Sequence, residues 1–288
     1  MLKNFFIITP FAFLFACSTK PEGASEKVIS VSILPQKYFV EAIAGDKYGI
    51  NVMIPPGGTP ENYEPTAGQM QNLSESGIYL KIGNIPFEEA WMKNFTDINP
   101  QMKVYDLSMG IDLIKDGHLH EGEAGTGVDP HIWSSVINAE IIAKNIFNAL
   151  VKEDPENRDY YTSRLQDFLS LTDSLDMKFR LEFTPLKGSA FLVFHPALAY
   201  LARDYGLEQI SLEFEGKSPP PGHMRNIINI AREKKIKAIL IQKQFNAEPA
   251  QTIADEIGAE VIIIDPLDEN WKDQIEYIVR SIISVAGK

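Results

Sequence analysis

ENRDYYTSRLQDFLSLTDSLDMKFRLEFTPL, Glu156 to Leu186, lies near the middle of the chain and holds no Gly or Pro before Pro185. Tyr161, Leu165, Phe168, Leu169, Leu171, Leu175, Met177, Phe179 and Leu181 recur through it at roughly helical spacing. Pro155 stands where a first-turn proline is tolerated, and Pro185 marks the stop. The spacing predicts one helix over 155–186, about 40 Å long at ~1.5 Å per residue. A break near Thr172 and Asp173 would give two shorter helices instead.

The sequence on either side follows one scheme. Before the long helix, apolar runs at 28–34, 50–54, 78–83 and 102–108 read as strands. Helical stretches from Tyr38 to Ala44, Ala67 to Ser76, Phe87 to Phe95 and Ser135 to Lys152 alternate with them. After it, strands at 190–194, 208–214, 238–242 and 261–265 alternate with helices from Ala197 to Tyr205, His223 to Lys234, Ala247 to Ile257 and Glu269 to Val285. Strand–helix alternation implies a parallel sheet with helices on both faces. The expected fold is therefore α/β: two lobes, each a parallel four-stranded sheet flanked by helices, bridged by the long helix. The lobes would span 28–154 and 187–288, with the linking helix at 155–186.

The N-terminus stands apart from this pattern. Lys3 precedes FFIITPFAFLFA, an apolar run too short to span a bilayer as a stable helix. A short basic start and a short apolar core read as a secretory signal over residues 1–16. Leu14-Phe15-Ala16-Cys17 resembles a bacterial lipobox, with Cys17 as the lipidated residue and Phe15 as a departure from the usual small or branched residue. Residues 17–27, polar with Pro and Gly, read as a tether. Cys17 is the chain's only cysteine, so no intramolecular disulfide forms, and once it is lipidated no thiolate remains to bind a metal. The formal net charge of −12 argues against nucleic acid and suits a cation-handling protein.

Ligands of open α/β sheets bind beyond the carboxyl ends of the strands. His195 follows AFLVF directly, and Asp265 ends VIIID. Glu61 and Glu64 lie in the loop after the second strand, and His131 lies in the long loop after the fourth. Taken singly, each has an ordinary structural explanation. Together, Glu61, His131, His195 and Asp265 form a nitrogen and oxygen donor set that Zn²⁺ accepts at about 2.0–2.2 Å. Mn²⁺ also accepts carboxylate and imidazole. His118, His120 and Glu121 form a candidate auxiliary metal loop in DGHLHEGEAG. His223, at a helix start after three prolines, reads as structural.

At these residues a family resemblance appears. PPGGTPENYEPT, GVDPHIW, FLVFHPALAYLARDYGL and IIIDPL resemble motifs of the substrate-binding proteins of zinc and manganese ABC transporters. The resemblance covers essentially the whole mature chain. It implies two lobes, a rigid linking helix and one metal ion in the cleft between them. It places His131 and His195 on metal-ligand positions and Asp265 where a carboxylate ligand occurs. The family usually has His in a PHxxEP segment, where this chain has Glu61. A histidine after the FLVF strand resembles zinc-type members, as does the HLHEGE loop.

The resemblance implies a non-enzymatic, extracytoplasmic, membrane-anchored lipoprotein, monomeric by default, that delivers Zn²⁺ to a membrane permease driven by an ATPase. Manganese transport within the same family, a metallohydrolase and a surface adhesin are the alternatives. The hydrolase reading lacks an HExxH helix in the sequence.

Overall fold

The protein, seen here in a computed structural model, is described over residues 27–115, 127–214 and 219–286. The leader at 1–16, Cys17 and the rest of the tether up to residue 26 lie outside the described residues, as do His118, His120 and Glu121. The N-terminal lobe runs β1 (Val28–Val31), α1 (Leu34–Ala44), β2 (Gly49–Val52), α2 (Ala67–Ser74), β3 (Ile78–Lys81), α3 (Pro86–Ile98), β4 (Lys103–Asp106) and α4 (Val136–Glu153). Then comes α5 (Arg158–Phe183). The C-terminal lobe runs β5 (Ala190–Val193), α6 (Ala199–Tyr205), β6 (Glu208–Ser211), α7 (Pro221–Glu233), β7 (Ala238–Gln242), α8 (Glu248–Ile257), β8 (Glu260–Ile264) and α9 (Trp271–Ala286).

Both sheets are fully parallel and share one topology, β2-β1-β3-β4 and β6-β5-β7-β8. In each, the chain order reverses between the first and third strands of the lobe. That reversal opens a crevice at the carboxyl ends of those strands. Several elements differ in extent from the sequence expectation. The apolar run at 28–34 is a strand only to Val31, because Leu34 already belongs to α1. Gln36 explains the early start: its Oε1 accepts the backbone N–H groups of Ser32 and Ile33 at 2.9 and 3.0 Å and so caps the helix. Ser135 precedes α4 as its cap, accepting from the Asn138 N–H at 3.0 Å.

The long stretch forms one α-helix without a break at Thr172. Its 26 residues reach about 39 Å. The Thr172 hydroxyl is buried and donates to the Phe168 and Leu169 carbonyls, so it satisfies itself within the helix. Pro155 and Pro185 lie in short 3-10 turns that bracket α5 at 155–157 and 184–186. Gly45, which closes α1 at φ 59°, lets the helix approach: a Cβ there would meet the Tyr160 hydroxyl of α5 at 2.0 Å.

One continuous apolar core joins Phe39, Ile43 and Tyr79 of the N-terminal lobe to Phe168 and Phe179 of α5 and to Tyr200 and Trp271 beyond it. The Trp271 ring lies 4.9 Å from Phe39 and 6.4 Å from Phe168. A second, smaller cluster, including Ile239, Ile227 and Ile253, lies within the C-terminal lobe. The lobes are therefore fused by packing as well as by α5.

Candidate metal centre

The two crevices are used differently. In the N-terminal lobe, the space between the ends of β1 and β3 is filled by the chain itself. Glu88, in the first turn of α3, turns back there and accepts from the Ser32 hydroxyl and from the N–H groups of Ile82 and Gly83, the latter two at 2.7 and 2.8 Å. Burial outweighs these bonds and raises its pKa to about 7.

In the C-terminal lobe, the crevice between β5 and β7 carries His195. The register pairs Val193 with Ser211 of β6 and with Leu240 of β7. Two residues further along, that register sets His195 between Glu213 and Gln242. Gln242 grips the His195 backbone from one side: its Oε1 accepts the N–H at 3.2 Å and its Nε2 donates to the C=O at 2.7 Å. Glu213 meets the ring from the other, with Oε2 at 2.5 Å from Nδ1. Phe245 stacks on the ring at 5.3 Å.

His131 reaches the same point from the N-terminal lobe. It is 7% exposed and begins the short 3-10 turn Ile132–Ser134. Asp129 Oδ1 accepts both the His131 backbone N–H and its Nδ1–H, each at 2.8 Å. Trp133 flanks the ring edge-on at 5.2 Å. The loop is tied across the lobes. Trp133 Nε1–H donates to the Pro266 carbonyl at 3.0 Å, and Trp271 Nε1–H donates to the Trp133 carbonyl at 2.7 Å.

The two imidazoles meet edge to face with Nε2 atoms 3.1 Å apart. Carboxylates on both Nδ1 atoms fix the hydrogens there in the neutral rings. In the neutral rings two Nε2 lone pairs then face each other, an arrangement relieved by a proton or a metal ion between them. Two nitrogens bound tetrahedrally to one Zn²⁺ at ~2.0–2.1 Å would stand about 3.3 Å apart, close to this spacing. Glu61 Oε1 lies 3.6 Å from His195 Nε2. Glu61, His131 and His195 offer ligand atoms all within 4.8 Å of one another. The cavity they border, of about 20 Å³, has room for one ion or water.

Burial lowers the pKa of His195, but the Glu213 hydrogen bond and the charges of Glu213, Glu61 and Asp129 outweigh it, and the net shift is upward. Burial raises the pKa of Asp129, but the charge and hydrogen bonds of His131, with the charge of His195, outweigh it and the net shift is downward. Both effects prepare a site that attracts positive charge.

Of the four expected ligands, three converge. Asp265 stands outside the cluster. It directly follows β8 at the sheet end, as the sequence indicates, but its carboxylate is taken by Lys243 and by Gln244 Nε2, the latter at 2.8 Å. Glu64 is exposed and outside the cluster, and His223 sits in the first turn of α7 with Phe214 at 4.9 Å. Asp129 and Glu213 were not legible as site residues. Asp129 lies within the GVDPHIW motif, and Glu213 near the end of an expected strand, yet only the register and loop geometry show which histidine each holds.

The family described as zinc-uptake complex component A, periplasmic (ZnuA), matches residues 29–281. The chain belongs to this family. Members of the ZnuA family are metal-binding, substrate-binding components of ABC transporters, which work with membrane permease and ATPase partners, and are not enzymes. The chain is 27% identical to the high-affinity zinc uptake system protein ZnuA of Bacillus subtilis (strain 168), over 94% of this chain and 89% of that protein. It is 24% identical to the manganese ABC transporter substrate-binding lipoprotein PsaA of Streptococcus anginosus, over 92% of this chain and 89% of that one. A crystal structure of ZnuA superposes with a TM-score of 0.85 at 35% identity, covering 91% of this chain and 100% of the other. The ZnuA relatives thus carry both metal names on one fold, and an extracytoplasmic location fits their descriptions as periplasmic proteins and lipoproteins.

Proposed function

We propose that this ZnuA-family protein captures Zn²⁺ between His131, His195 and Glu61 in the inter-lobe cleft and delivers it to its permease. The observation that carries the reading is the facing pair of Nε2 atoms at 3.1 Å, each backed by a carboxylate on Nδ1. Imidazole nitrogen suits zinc, whereas manganese favours carboxylate, carbonyl and water oxygen. The three-residue convergence offers two nitrogens and one carboxylate. Lipidation at Cys17 would hold the protein at a membrane surface beside the permease, a reading supported by relatives described as lipoproteins. His118, His120 and Glu121 would act as an auxiliary loop that takes a second, weaker ion.

Competitive titration of metal-stripped protein with Zn²⁺ and Mn²⁺ against chelators tests this. Tight one-to-one zinc binding is expected, lost in the His131→Ala, His195→Ala double variant. Tighter manganese than zinc binding, or zinc binding that survives the double substitution, would refute it.

A further inference from the structure

The register of the C-terminal sheet places more than His195. β7 and β8 pair Gln242 with Ile264, so the next pair past the strand ends is Lys243 and Asp265. The Lys243 N–H still donates to the Ile264 carbonyl at 3.0 Å. From there Lys243 Nζ forms an ion pair with Asp265 Oδ2. Asp265 Oδ1 accepts from Gln244 Nε2 at 2.8 Å and from the Leu267 N–H at 3.2 Å. Asp265 is 4% exposed, while the Lys243 side chain keeps 44% of its surface exposed and lines, with Asp265, a cavity of about 260 Å³ between the lobes. The small cavity bordered by Glu61, His131 and His195 shares Gln244 and Leu267 with the larger one, but not Asp265 or Lys243. An ionised carboxylate this buried is costly unless it is paired and hydrogen-bonded. Lys243 supplies the pairing cation.

We propose that Lys243 is a selectivity residue: by holding Asp265 on its ammonium, with help from Gln244, it keeps a second carboxylate out of the metal's shell. This deepens the zinc reading and rests on it. A donor set of two imidazoles and one carboxylate suits zinc, and each added carboxylate moves a site toward harder ions such as Mn²⁺. The stretch Gln242-Lys243-Gln244 thus works in two directions. Gln242 holds the nitrogen donor His195 in place, and Lys243 and Gln244 hold the oxygen donor Asp265 away. Among the described residues Lys243 is the one ion-pair partner of Asp265, so its loss leaves the carboxylate without a cation.

The test is to measure Zn²⁺ and Mn²⁺ affinities of the purified full chain for wild type, Lys243→Met, Lys243→Arg, Asp265→Asn and the Lys243→Met, Asp265→Asn double variant. Thermal unfolding checks each fold, and Lys243→Gln replaces Lys243→Met if the latter fails to fold. Lys243→Met is expected to raise manganese affinity relative to zinc by about tenfold or more, a gain that Asp265→Asn cancels in the double variant. Lys243→Arg, which keeps the ion pair, is expected to keep the wild-type ratio. Asp265→Asn alone is expected to leave zinc affinity within about threefold. An unmoved metal ratio in folded Lys243→Met would overturn the inference, as would a loss of about tenfold or more in zinc affinity from Asp265→Asn alone. Failure of the wild type to bind zinc would overturn the zinc reading and this inference together. Zinc binding with an unmoved ratio would overturn this inference only.

Discussion

His195 sits between a carboxylate on Nδ1 and an imidazole on Nε2, and the balance between them sets how the site answers to pH. Its raised pKa means that protons compete with metal at higher pH than for an ordinary histidine. Zinc affinity is expected to fall on acidification from above pH ~6.5, as chelator competition across a pH series would show. Glu213 orients the ring and raises its basicity toward proton and metal alike. Glu213→Gln is expected to weaken zinc binding about 10- to 100-fold at pH ~8, measured by the same competition. In the metal-free protein the raised groups act on stability in one direction. Glu88, held at a pKa of about 7 against an unfolded value of 4.5, binds its proton more tightly in the folded state. The stability that Glu88 contributes is therefore present below pH 4.5 and lost as pH rises through 7, by about 3 kcal/mol over that window. His195 adds a loss at higher pH, since its charged form is favoured in the fold. Urea unfolding at pH ~5 and ~8 should show the decline, and Glu88→Gln should remove most of it below pH ~7. The residues legible in the sequence were those whose type alone suggests chemistry: two histidines and a glutamate at sheet ends. Asp129, Glu213 and Lys243 carry ordinary surface chemistry as letters, and only their register neighbours give them a role.

At the scale of elements, the site is assembled by strand ends and tied loops. The carboxyl ends of β5 and β7 carry His195 and its Gln242 clamp. The loop of His131 is bound to that of Pro266 by the Trp133 and Trp271 indoles, so these two segments are positioned as one unit across the lobes. Glu61, by contrast, comes from an exposed loop dense in Pro and Gly, with Thr59 donating to Asn62 at 2.9 Å nearby. Metal capture and release should therefore involve Glu61 more than His131. Trp271 is 3% exposed and packs on Tyr38, Phe39 and Phe168. Trp271→Ala is expected to cost about 3–5 kcal/mol in urea unfolding, and to weaken zinc binding because the Trp133 loop loses its anchor. The elements themselves were legible from periodicity and from Gly and Pro punctuation. Their ends shifted by a few residues, as at Leu34, where a single Gln36 cap converts the end of an apolar run into the start of α1.

Across the whole molecule, the long helix and the continuous core limit what the lobes can do. α5 packs along both lobes, and Trp271 at the start of α9 inserts between α1 and α5. A hinge closure would have to open that core, so small-angle scattering should show nearly the same radius of gyration with and without zinc. A large decrease on loading would point to lobe closure instead. The two-lobe plan was readable because the same strand–helix scheme occurs on both sides of one uninterrupted helical stretch. The fusion of the lobes was not, because apolar faces announce burial without naming what they pack against. The central claim is that one ion is held by two imidazoles and a carboxylate drawn from both lobes. X-ray absorption spectroscopy on the one-to-one zinc complex tests it most directly. The expected spectrum shows two imidazole ligands, with oxygen completing the shell, and one imidazole contribution disappearing in each of His131→Ala and His195→Ala. A shell with three imidazoles, or one unchanged by either substitution, would contradict the claim.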